Sequence, residues 1–251
     1  MSAVAELSAD QAVVPSVKNL KVKLFADGAD KKTMLDLYAN PHVTGFTTNP
    51  TLMRRAGIAD YEAFARDIVT VIPDRHISLE VFADDLPEME RQARKIATFG
   101  PNVYAKIPIT NTKSESTAAL TRTLSLDGIK VNVTAMLTMA QVRETVTALA
   151  GGAPCCVSIF AGRIADTGVD PLPMMAEAVR LTKPHPGMEI IWASPRELLN
   201  VFQADEIGCH IITATPDILK KLTLVGKDLG GYSLETVQMF YRDASASGYI
   251  L

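Results

Sequence analysis

Short runs in which apolar and polar residues alternate recur along the chain, each followed by a longer stretch whose apolar positions return every three to four residues. Strict alternation marks a strand with two unlike faces, and the longer period marks a helix that buries one stripe. The predicted strands cover residues 22–27, 44–48, 76–82, 103–108, 130–135, 155–160, 189–194 and 210–215. Roughly 20 to 35 residues separate successive starts, enough each time for a crossover helix and its loops. Eight such βα units predict a single closed (β/α)8 TIM barrel over residues 22–251, preceded by a polar, irregular extension over residues 1–21. An open, doubly wound sheet is the rival. It would carry a Gly-rich phosphate loop after its first strand, where Phe25-Ala26-Asp27-Gly28-Ala29-Asp30 stands instead.

Helix starts are marked at Asp60 before Tyr61, at Leu86-Pro87 ahead of Glu88, and at Thr138 before residues 139–149. Beyond the eighth unit, Gly230-Gly231 precedes a segment from about Tyr232 with apolar side chains at Leu234, Val237, Phe240 and Tyr241. This predicts an extra C-terminal helix, with Ser233 as its cap. Its apolar stripe has two candidate partners, the barrel's own end and a neighbouring subunit.

Strand parity separates lumen from helix layer. In the third strand Ile77, Leu79 and Val81 oppose Ser78, Glu80 and Phe82; in the fourth, Val103, Ala105 and Ile107 oppose Tyr104, Lys106 and Pro108. Val131, Val133 and Ala135 oppose Lys130, Asn132 and Thr134 in the fifth, and Cys155, Val157 and Ile159 oppose Cys156, Ser158 and Phe160 in the sixth. With the apolar rows against the helices, Glu80, Lys106, Asn132, Thr134 and Ser158 converge on one lumen near the strands' C-terminal ends, where barrel active sites are built. Trp192 shares the parity of Ser194 and is assigned to the lumen on that ground.

Composition narrows the classes. The chain has 251 residues, 47% apolar and 21% charged, with net charge −3, which excludes disorder and collagen-like order. A pI near 5.8 without a Lys/Arg-rich run gives no footprint for nucleic acid or an anionic membrane. Cys155, Cys156 and Cys209 have no CxxC spacing, so neither a disulfide framework nor a zinc site is expected. The long uncharged stretch 145–162 is broken by Gly151-Gly152-Ala153-Pro154, and no membrane span is predicted. The first residues lack a secretory pattern, and a cytoplasmic location is expected. His42, His76, His185 and His210 show no HExxH pairing, and Ser158 stands outside any GxSxG motif. No metal and no organic cofactor are expected.

A lysine held inside a lumen loses hydration, which disfavours its ammonium form and frees a nucleophilic amine. The chemistry that uses such an amine is Schiff-base formation with a carbonyl, whose protonated imine takes up electrons as a carbon–carbon bond is made or broken. Lys106, mid-run in Tyr104-Ala105-Lys106-Ile107-Pro108, is placed for it.

From about Lys23 to Gly248 the chain resembles the transaldolase family, the Schiff-base aldolases that include small transaldolases and fructose-6-phosphate aldolases. The motifs that carry the likeness are Phe25-Ala26-Asp27, Thr47-Thr48-Asn49-Pro50-Thr51, Ser78-Leu79-Glu80-Val81, Lys106-Ile107-Pro108-Ile109-Thr110, Asn132-Val133-Thr134, Ser158-Ile159-Phe160-Ala161-Gly162-Arg163 and Ala193-Ser194-Pro195-Arg196. The resemblance implies Lys106 as the Schiff-base lysine and Asp27 as the acid/base for the substrate hydroxyl, with Glu80 and Thr134 holding a catalytic water. It implies Asn49 and Asn132 on the substrate hydroxyls, and Arg163, Ser194 and Arg196 on the phosphate; lumen-facing Ser158 and the apolar wall Phe160 join the substrate-binding set.

Glu80 and Phe160 side with transaldolase, since the fructose-6-phosphate aldolase branch carries glutamine and tyrosine there. Pro195 departs from the phenylalanine frequent in larger transaldolases. The resemblance thus implies transfer of a dihydroxyacetone unit from sedoheptulose 7-phosphate or fructose 6-phosphate to an aldose acceptor, as in the pentose phosphate pathway. The alternatives are an aldolase that releases free dihydroxyacetone and a sugar-phosphate binding protein without turnover. The C-terminal helix resembles one that packs across subunits and implies a ring-type homo-oligomer, a decamer being one candidate size.

Overall fold

A computed structural model describes residues 15–250. The predicted extension therefore lies outside the described residues up to position 14. The elements run β1 (Lys23–Asp27), α1 (Lys31–Tyr38), β2 (Val43–Thr47), α2 (Pro50–Arg55), α3 (Tyr61–Val71), β3 (His76–Glu80), α4 (Leu86–Ala97), β4 (Val103–Pro108), α5 (Ala118–Leu126), β5 (Val131–Met136), α6 (Met139–Leu149), β6 (Cys155–Ile159), α7 (Ala161–Ala165), α8 (Leu172–Thr182), β7 (Met188–Ala193), α9 (Leu199–Glu206), β8 (Ile211–Ala214), α10 (Pro216–Lys220) and α11 (Leu229–Ser247). All eight strands pair in parallel in chain order, and β8 closes on β1 to complete the barrel. The fold is a single (β/α)8 TIM barrel.

The parity rows hold. Ile77, Leu79, Ala105, Ile107, Val131, Val133, Val157 and Ile159 are buried, each large side chain contributing about 1.5–3 kcal/mol of transfer free energy against the helices. Inside the lumen, Phe25, Cys156, Ile191 and Ile211 form an apolar plug with Tyr104 packed on it. Gly45 makes room for that plug, since a Cβ there would stand 2.5 Å from the Phe25 ring. On β7 the lumen row is thus carried by Ile191, so Trp192 faces the helices beside its register partners Ile159 and Ile212. The lumen assignment of Trp192 is corrected: its parity was referred to Ser194, which lies past the strand at φ 58.

Helix starts follow the local chemistry. Asp60 accepts from the Ala63 N–H, Asp85 from that of Glu88, and Thr138 with Gln141 forms a capping box. Residues Leu20–Lys220 make one compact unit, which contains the barrel; residues from Lys221 belong to a second. In that second unit α11 begins at Leu229, earlier than the glycine pair implies, because Asp228 accepts the Gly231 N–H and acts as the cap in place of Ser233. Leu234, Val237, Phe240 and Tyr241 on α11 are exposed. Among the described residues no helix is long and apolar enough to cross a membrane.

Candidate active site

The polar residues predicted to share a lumen do so. Register places Glu80 on β3 opposite Lys106 on β4, and Lys106 opposite Asn132 on β5. The Lys106 side chain is 8% exposed. Its amine forms an ion pair with Glu80 at 3.0 Å and donates to the Thr48 carbonyl at 2.9 Å. Two acceptors thus hold the amine at the strands' C-terminal ends. Tyr61 of α3 donates to the Glu80 backbone carbonyl at 2.7 Å, and burial together with the Glu80 charge pushes its phenol well up.

Below the amine, Ser158 donates to the Asn132 carboxamide oxygen at 2.7 Å, and the Asn132 nitrogen donates to Ser78 at 2.9 Å. Ser78 in turn meets the His76 ring nitrogen Nε2 at 2.7 Å. His76 stacks on Tyr104 with centroids 3.7 Å apart. Desolvation pulls its pKa down to about 3, with Lys23 and Lys130 adding repulsion, so the ring is neutral. Thr134 is buried, and its hydroxyl has no partner among the described residues. A buried hydroxyl in that state demands a ligand or water.

Asp27 ends β1. Burial pushes its carboxyl up from the usual range, while Lys106 and a hydrogen bond from Thr47 pull it back. A cavity of about 280 Å³ opens beside it, lined by Met34, Phe46, Leu52, Arg55 and Thr215 among others. Asn49 caps α2, its side-chain oxygen accepting the Leu52 N–H at 2.9 Å. Half of its amide therefore serves the fold.

The three residues assigned to phosphate stand around the start of α7. Phe160 precedes that helix, and the Arg163 guanidinium lies 5.1 Å from its ring. A Cβ on Gly162 would fall 1.6 Å from the Ser194 carbonyl oxygen and 3.3 Å from Arg196 Nε. Only glycine lets the β6 and β7 ends approach so closely. Arg196 is engaged by both carboxylate oxygens of Asp166, one at 2.9 Å. Arg163 thus lies over the Phe160 ring and Arg196 is paired with Asp166.

Sequence reasoning missed Asp166, Tyr61, Thr47 and Thr213, the last with its hydroxyl 2.6 Å from that of Thr47, as members of the constellation. Thr47 lay within a quoted motif, and alternation along β8 would have turned Thr213 inward with Ile211. Tyr61 opens α3 and Asp166 follows α7, positions where no lumen parity exists to find them.

Residues 24–247 match the sequence pattern of the family described as Transaldolase/Fructose-6-phosphate aldolase. A probable transaldolase of Dehalococcoides mccartyi is 37% identical over 203 residues, covering 80% of this chain and 90% of that protein. One from Hyphomonas neptunium is 32% identical over 228 residues, covering 90% and 99%. Among solved structures, dihydrodipicolinate synthase from Rhodopseudomonas palustris superposes with TM-score 0.56 at 15% identity, covering 92% of this chain and 84% of its own. KGPDC from Streptococcus mutans gives 0.51 at 12% identity, covering 79% and 90%. At such identities these two structures speak for the fold alone.

Proposed function

The chain belongs to the transaldolase/fructose-6-phosphate aldolase family, and from that premise we propose that it is a transaldolase working through a Schiff base on Lys106. The observation that carries this reading is the Lys106 amine, buried in the lumen 3.0 Å from Glu80 and under the electrostatic influence of Asp27. A buried lysine between two acids serves no surface role.

The proposed course is as follows. Lys106, its proton passed toward Glu80, adds to the ketose carbonyl to give a carbinolamine, which loses water to form the iminium. Glu80 and the unpartnered Thr134 hydroxyl hold the water that carries these protons. Asp27 takes the proton of the hydroxyl next to the scissile bond. That bond breaks, its electron pair enters the iminium as an enamine, and an aldose phosphate leaves. The enamine then adds to the carbonyl of an aldose acceptor, Asp27 returns the proton, and hydrolysis frees Lys106. Asn49, Asn132 and Ser158 hold the substrate's hydroxyls. Arg163, Ser194 and Arg196 hold its phosphate, Arg196 offering the donors that Asp166 leaves free.

Fructose 6-phosphate and sedoheptulose 7-phosphate are the proposed donors, erythrose 4-phosphate and glyceraldehyde 3-phosphate the acceptors. Phe160 and Glu80 favour transfer over release of free dihydroxyacetone, because an apolar wall offers no hydroxyl to activate water at the waiting enamine. A cytoplasmic, ring-type homo-oligomer is part of the proposal. It is supported by the exposed apolar side chains of α11 and tested by light scattering.

Borohydride reduction in the presence of fructose 6-phosphate, followed by peptide mass spectrometry, is the test. A dihydroxyacetone-sized adduct on Lys106, lost in Lys106→Ala, is the expected result. An adduct on another residue defeats the site assignment, and no adduct at all favours a binding protein without turnover. Rapid ketose cleavage without acceptor favours the aldolase.

A further inference from the structure

Asp27 is held through both strands that flank its own. The Thr47 hydroxyl on β2 lies 2.7 Å from Asp27 Oδ1 and 2.6 Å from the Thr213 hydroxyl on β8. β2 and β8 are the neighbours of β1 in the closed barrel, and both threonines are buried. A hydroxyl has one proton to donate, and a carboxylate only accepts. With Asp27 ionised, Thr47 spends its proton on it, so the short contact with Thr213 is satisfied when Thr213 donates. The chain runs one way, from Thr213 to Thr47 to Asp27. Hydrogen bonds in series polarise one another, and a donor polarised in this manner stabilises the charged acceptor more than the neutral one.

We propose that Thr213 is a positioning residue for the reaction: through Thr47 it fixes a proton donor on Asp27 and favours the ionised carboxylate that removes the substrate's hydroxyl proton. The inference rests on the acid/base role proposed for Asp27. The charges around that carboxyl are otherwise accounted for. Lys106 acts on it from β4 and is itself paired with Glu80 on β3. From α1, Asp30 is turned onto Thr33, Lys31 pairs with Asp67 and Lys32 with Asp36. Arg55 of α2 lines the adjoining cavity, and Asp217 and Lys220 of α10 pair with each other at the surface. Burial drives the carboxyl upward, and the Thr47 hydrogen bond is one of the two effects opposing it. Loosening that bond moves ionisation to higher pH.

The experiment is the pH dependence of kcat/KM for ketose donor in the full-length enzyme, with Asp27→Asn identifying the acidic limb. Thr213→Val, which keeps the shape and removes the donor, is expected to move that limb up by roughly half a pH unit, the scale of one weakened hydrogen bond. Activity on the acid side then falls about threefold. Thr213→Ser is expected to keep the wild-type profile, and borohydride trapping on Lys106 to persist in both variants. A purely structural role would lower Tm and leave the limb in place. Should Thr213→Val fail to fold, Thr213→Ala reads the same limb. A Thr213→Val or Thr213→Ala limb that superimposes on wild type or moves to lower pH overturns the inference, as does a limb that survives in Asp27→Asn. Absence of Lys106 trapping in the wild-type enzyme overturns the Schiff-base reading instead.

Discussion

Replacing Gly162 by alanine perturbs the proposed phosphate site without removing any charged group. The added Cβ would stand 1.6 Å from the Ser194 carbonyl oxygen, whereas an ordinary C···O contact is about 3.3 Å. The β7 end or the start of α7 must then retreat by more than 1.5 Å, roughly the difference. Ser194 has little freedom to absorb it, since it already occupies the left-handed region at φ 58. The retreat carries the Ser194 hydroxyl and Arg196 with it. Overpacking of this kind costs about 1–3 kcal/mol, or roughly 2–10 °C in Tm for a chain of this size. Misplacing a binding group by about 1 Å costs on the order of 100-fold in turnover efficiency.

The assay is steady-state kinetics of Gly162→Ala with fructose 6-phosphate and with unphosphorylated fructose, alongside a thermal melt. A rise in KM of about 10- to 100-fold for the phosphorylated donor is expected, with little change in the kinetics of the unphosphorylated one. Wild-type Tm and KM in this variant would refute both the clash and the placement of the phosphate. Equal losses for the two donors would refute the placement alone.

Glu80→Gln leaves the Lys106 amine buried beside a neutral amide, and a loss of about 3 kcal/mol in urea unfolding is expected from a broken buried pair; an unchanged midpoint would show that the charge had escaped to water. His76 titrates near 3 when folded and near 6.5 when unfolded, so between those values the unfolded state binds the extra proton and stability falls as the pH drops. The acid-induced loss between pH 7 and pH 5 is therefore expected to be smaller in His76→Gln than in wild type, and parallel urea midpoints would count against a neutral, desolvated ring. Thr138→Ala dissolves the capping box of α6 and is expected to cost about 1 kcal/mol of stability with kinetics unchanged, as read by denaturant unfolding.

The strands, their order and the inward rows of β3 to β6 were legible in the sequence. Alternation is a local property of the chain: Leu79 and Glu80 must point to opposite faces whatever surrounds them. The same rule failed for Trp192 because Ser194, taken as its reference, lies beyond the strand with a left-handed backbone. A different signal misled at α11: the helix was expected to start after the glycine pair, but Asp228 caps it through the second glycine, which lies inside it.

Closure of the barrel decided the rest. It set β8 beside β1 and carried Thr213 to Thr47, 166 positions away in the chain. It brought the Thr48 carbonyl to the Lys106 amine and strung Ser158, Asn132 and Ser78 into one hydrogen-bonded line. Which face a residue takes depends on its immediate neighbours along the chain, but which atom it finds there depends on strand register and curvature. Those are fixed only when the whole sheet shuts, because a hydrogen bond needs its donor and acceptor about 2.7–3.2 Å apart and well aligned, and sequence distance has no bearing on that.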